Sequence, residues 1–171
     1  LEVFVWMARP DIFLACLLRG LNLEESLDTP LLERQLSYGL PFLLSHTPLR
    51  PAVQRWLQRP ENQPKELVGQ PAVSYLRMVA MIWLNAGSAE AAARIASDAV
   101  AVARELRDDH QIILGLLQLQ LAEGSRENYD RVLAISQEME QLSSRIQNRR
   151  YLAIGLLGQG LSWIRRGDFD R

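Results

Sequence analysis

The densest group of side chains able to do chemistry is the run Arg107-Asp108-Asp109-His110. Carboxylates beside an imidazole can hold a divalent metal or share a proton in acid–base work. Both roles need partners converging from elsewhere in the chain. The only other histidine, His46, is far away in sequence, and no second carboxylate pair has matching spacing. The competing reading is a turn between two helices, with an Asp capping the helix that follows. Glu24-Glu25 and Glu138 with Glu140 read as solvated helix faces. Cys16 is the only cysteine and falls in an apolar stretch, so it reads as a buried thiol rather than a nucleophile. The run GLLGQG (155–160) spells G-x-x-G-x-G. It lacks the Lys-Ser/Thr of a phosphate loop and follows no strand pattern. The expectation is a chain without catalytic residues, cofactor or metal.

What must position these side chains is a set of helices. The chain has 171 residues, 48% hydrophobic and 23% charged, which is enough for a packed core and excludes wholesale disorder. A formal net charge of −1 argues against a dedicated nucleic-acid domain, because neutralising phosphates takes clustered Lys and Arg. The lone cysteine fits a reducing, cytoplasmic setting. No run reaches the ~20 apolar residues that cross a bilayer. The opening LEVFVWMARP lacks the basic start and cleavage site of a signal peptide. It reads as a piece of something longer.

All eight prolines fall at or before Pro71. Proline starts or breaks helices, so residues 1–70 should hold short, irregular helices and residues 71–171 long ones. Within the second part, Leu76, Ala80, Trp83 and Gly87 are echoed by Leu156, Gly160, Trp163 and Gly167. Halving that offset predicts a middle copy on Leu116, Gln120, Glu123 and Glu127, where only the leucine fits. The inferred period is forty, giving units at about 71–108, 109–148 and 149–171. Each unit reads as an apolar helix (about 71–86, 110–123, 149–166) ending near Gly87, Gly124 or Gly167. Ser88, Ser125 and Asp168 should then cap second helices, at Ala89 to Leu106 and roughly Arg126 to Gln147. In the first of these second helices, Ala92, Ile95, Ala96, Ala99, Val100 and Ala103 form a narrow small-residue stripe. Residues 30–59 read as a degenerate repeat.

These residues resemble the tetratricopeptide-type helical repeat, whose unit carries a large residue, a small one, an aromatic, a turn glycine and then alanines. The forty-residue period resembles the longer-helix variant of bacterial signalling ATPases and maltose-regulator-type activators. The resemblance implies an all-α solenoid of antiparallel hairpins and a glycine role: Gly160, Gly155 and Gly115 let helix backbones approach. It also implies a concave groove for a partner. Its positions fall on Ser74, Arg77, Met81, Leu84 and Asn85, then Leu114, Leu117, Leu121 and Ser125, then Ile154, Leu157, Leu161, Ile164 and Arg165. The groove is mostly aliphatic, which favours a protein or peptide partner over a metabolite. Small-molecule sensing within a transcription regulator is the alternative. Self-association through an exposed repeat end is a further expectation, and no contact with nucleic acid or membrane is expected.

Overall fold

A computed structural model describes residues 51, 52, 55 and 68–167. The chain divides into two compact units, Leu1–Leu67 and Val68–Arg171. In the first, Pro51, Ala52 and Arg55 are helical, and the Arg55 guanidinium donates to the Pro51 carbonyl. The rest of the proposed degenerate repeat, with Cys16 and His46, lies outside the described residues, as does Asp168.

From Gly69 to Gly167 the described residues fold as five helices and no strand, with Pro71 the last proline of the chain. They are α1 (Gln70–Asn85), α2 (Ala89–Glu105), α3 (Asp109–Ser125), α4 (Tyr129–Arg145) and α5 (Arg149–Arg166). Pro71 occupies the first turn of α1, where its missing N–H removes nothing. Each helix packs on the next in the chain, and α1 also packs on α3. The result is an all-α helical repeat of antiparallel hairpins.

The connections are alike. Residues 87, 107, 127 and 147 take φ between 55° and 83° and close the preceding helix, and Gly167 does the same at φ 77°. In each of the first four turns the following residue donates back five positions, as Ser88 N–H does to Trp83 C=O and Asn128 N–H to Glu123 C=O. The left-handed residue itself donates to a carbonyl three positions back, Gly87 to Leu84 and Gly167 to Ile164. This is the Schellman arrangement. The residue after the left-handed one then caps the next helix, since the carbonyls of Ser88, Asp108, Asn128 and Asn148 accept the first bond of α2, α3, α4 and α5. One residue thus ends one helix and begins another, and the beat is twenty residues per helix.

That beat corrects two expectations. Gly124 lies inside α3, and Glu127 rather than a glycine takes the left-handed turn position. Ser125 is the last residue of α3, where its hydroxyl donates to the Leu121 carbonyl; Asn128, not Ser125, is the cap of α4. A glycine near the right place misleads when the turn is fixed by main-chain hydrogen bonds that Glu, Gln or Arg can also make at modest strain.

Helix faces follow the sequence. The stripe Ala92, Ile95, Ala96, Ala99, Val100 and Ala103 is buried throughout. α3 is buried on almost every side, from Ile112 through Leu116 and Leu119 to Glu123, because it is packed between α1, α2 and α4. Two crossings are tight. A Cβ on Gly115 would fall 2.8 Å from Val100 Cγ2 and 3.4 Å from its backbone nitrogen. A Cβ on Gly155 would fall 3.1 Å from the Ser136 carbonyl and 3.2 Å from the Glu140 nitrogen. The pairs Gly115–Val100 and Gly155–Glu140 are the same crossing, forty residues apart. Gly160 does not share that role: nothing among the described residues lies within 4 Å of its Cβ position.

Candidate functional site

The residues assigned to the groove by resemblance separate into a buried group and an open one. Arg77 and Leu114 are buried; the Arg77 guanidinium donates to Gln111 Oε1 at 3.4 Å, tying α1 to α3. Neither lines an open surface. Met81, Leu84, Asn85 and Leu117 are half-buried. Leu121 is 38% exposed on α3. On α5, Leu157 is 63% exposed, Leu161 50% and Ile164 55%, a stripe at spacing i, i+4, i+7. Leu156, in the neighbouring row, is also half-exposed. Leu117 and Leu121 precede Leu157 and Leu161 by one period, so two apolar rows lie in register on alternate helices.

Those alternate helices are joined by a polar seam. The buried Gln120 amide donates to the Ser136 hydroxyl at 2.9 Å, and that hydroxyl donates to the Val132 carbonyl at 2.7 Å. A Cβ on Gly158 would overlap both the Gln120 amide and the Ser136 hydroxyl. The missing side chain of Gly158 is therefore filled by Gln120, which brings α3, α4 and α5 to one point. Beside it, Gln159 donates to Glu140 at 2.6 Å.

The charged residues of α5 itself have one sign. α5 carries Arg149, Arg150, Arg165 and Arg166 and no acidic residue. Arg165 and Arg166 occupy the last turn, where a cation complements the helix dipole. Arg149 and Arg150 occupy the first turn, where it is unfavourable. Arg150 is compensated by the Tyr151 ring, 5.8 Å from its guanidinium carbon, and Arg166 pairs with Asp130 at 3.0 Å. Arg149 and Arg165 make no ion pair among the described residues.

The Arg107–His110 cluster does structural work. Asp108 caps α3, accepting from the Gln111 amide at 3.1 Å and from the Gln70 side chain at 3.0 Å. Burial pushes the Asp108 carboxyl up, but those hydrogen bonds, the His110 amide and the His110 charge outweigh it and hold it below its usual value. Asp109 receives a two-pronged bond from Arg145 on α4, one arm at 2.7 Å, and His110 meets the edge of Tyr151. Among the described residues no three His, Cys, Asp or Glu side chains gather as metal ligands.

One functional candidate escaped the sequence reading. Glu123 stands where the first and third units have Trp83 and Trp163, and it is buried. Its Oε2 accepts from Arg126 at 3.0 Å and from Asn128 at 3.1 Å. The signal was the poor fit of the middle unit, which reads as degeneracy until the buried carboxylate and its two donors are placed. No protein-family model, curated protein or solved structure matches the chain.

Proposed function

We propose that this chain is a docking scaffold of the tetratricopeptide type, the arm of a larger bacterial signalling or regulatory protein in the cytoplasm. Its occupant is an amphipathic partner helix with acidic residues near both ends. The observation that carries this reading is the exposed stripe Leu157, Leu161 and Ile164, framed by arginines at both ends of α5, a helix that itself carries no acid. Arg149 and Arg165 are roughly 24 Å apart along the helix axis, a spacing that a helix of similar length bearing Asp or Glu at its ends would match. A second copy of α5 is disfavoured, because either parallel or antiparallel pairing sets arginine against arginine. The role is binding rather than catalysis.

The test is fluorescence anisotropy with a synthetic helix of about seventeen residues, leucines at i, i+4, i+7 and i+11 and glutamates at both ends. Saturable binding that weakens with salt is expected. Leu157→Arg and Leu161→Arg should each weaken it tenfold or more, about 1.4 kcal/mol. Both side chains are half-exposed or more, so thermal unfolding should hold. No binding, equal binding of a lysine-ended peptide, or sedimentation showing that the face pairs with a second copy would each contradict the proposal. Small-molecule sensing is a second reading, and what favours it is a polar cavity beside Glu123.

A further inference from the structure

Where the turn after α1 meets the end of α3, the surface opens into a cavity of about 480 Å³. It is an open depression rather than an enclosed pocket: Glu90, Arg94, Ser97 and Arg126 on its walls are exposed, and Ala93 and Glu123 form its buried part. Its polar lining is Ser88, Glu90, Arg94 and Ser97 from the start of α2, with Glu123 and Arg126 from the end of α3. This is also where the chain departs from its own repeat, with a carboxylate in place of the Trp83 and Trp163 indoles. A buried carboxylate is costly unless hydrogen-bonded. Glu123 is 7% exposed, and both of its hydrogen bonds, from Arg126 and Asn128, go to Oε2. Oε1 is left for another donor. The Ser88 hydroxyl is uncommitted too, since it makes no capping bond to α2.

We infer that this cavity binds a small zwitterion, an α-amino acid with a neutral polar side chain. The lining carries two cations and two anions, so a ligand of either single charge would meet repulsion as well as attraction. A ligand bearing both charges has a partner for each. Its ammonium donates to Glu123 Oε1, and its carboxylate accepts from Arg94, whose side chain has no ion pair among the described residues. The hydroxyls of Ser88 and Ser97 meet its polar side chain. The inference extends the sensing reading and is independent of the leucine face, so failure here leaves peptide docking untouched, and the reverse.

The probe is L-glutamine, titrated into the whole chain by calorimetry and by amide chemical shifts. Two analogues serve as controls: 4-aminobutanamide, which lacks the carboxylate, and glutaramic acid, which lacks the ammonium. Saturable binding of L-glutamine is expected, with shifts confined to residues 88–97 and 123–128, and each analogue should bind at least tenfold more weakly. Glu123→Gln keeps the acceptor for Arg126 and Asn128 but removes the charge, and it should weaken binding tenfold. Should that variant unfold, Arg94→Ala, on an exposed side chain, carries the same expectation, and Ser97→Trp should block the cavity. No saturable response to any neutral α-amino acid up to about 10 mM, a very weak affinity, would overturn the inference. So would equal binding of either analogue, or binding unchanged by Arg94→Ala and Ser97→Trp.

Discussion

The left-handed positions show how much a single residue decides. Gly87 and Gly167 adopt φ near 80° without a Cβ penalty, whereas Arg107, Glu127 and Gln147 adopt 55° to 58° against it. The left-handed conformation costs an L-residue roughly 1–2 kcal/mol, and replacing it with glycine returns part of that to the unfolded chain as entropy. Glu127→Gly should therefore stabilise the fold by about 0.5–1 kcal/mol, and Gly87→Val should destabilise it by more than 1 kcal/mol; denaturant melts of both variants check the signs. Asp108 offers a second test. Its folded pKa is depressed, so its stabilising effect is fully present above the unfolded value of about 3.9 and is lost as pH falls through the folded value. Asp108→Ala should cost about 1 kcal/mol at neutral pH, the usual worth of an N-cap. The difference from wild type should shrink below about pH 4, as followed by urea melts across pH. If the gap instead grew in acid, the capping geometry would be wrong.

At the scale of helices, three glycines in one segment have three different reasons. Gly155 admits the α4 backbone, Gly158 admits the Gln120 amide, and Gly160 faces open space. Gly155→Ala should destabilise by about 1–3 kcal/mol through overpacking. Gly160→Ala should stabilise by up to about 1 kcal/mol, the helix propensity difference. Finding the two equal would mean that no close crossing exists at Gly155. The helices themselves were legible from the sequence: proline stops at Pro71, apolar residues recur at helical spacing, and the alanine stripe of α2 announces its buried face. The turns were legible only where glycine marked them. Gly124 drew the end of α3 three residues short of Glu127, because main-chain hydrogen bonding leaves no trace in residue type. The resemblance gave Gly160, Gly155 and Gly115 the same crossing role; Gly115 and Gly155 hold it, and Gly160 does not.

Across the second unit as a whole, translation by one period carries Gly115–Val100 onto Gly155–Glu140 and Leu121 onto Leu161. Where the translation fails, the molecule does something particular: Gln120 fills the gap at Gly158, and Glu123 replaces an indole beside a cavity. Of the candidate site, the exposed α5 leucines were legible as an apolar face, but Arg77 and Leu114 were not separable from it, because burial depends on the neighbouring helix. The cavity was not legible at all, since it is built from residues of two helices whose register the middle unit obscures. The central claim is that five helices recur every twenty residues through the same left-handed turn. Backbone chemical shifts and three-bond HN–Hα couplings of the whole chain test it most directly. The account predicts positive φ at Arg107, Glu127 and Gln147, with helix unbroken through Gly124. A helix that stops at Gly124, with Glu127 in ordinary helical φ, would contradict it.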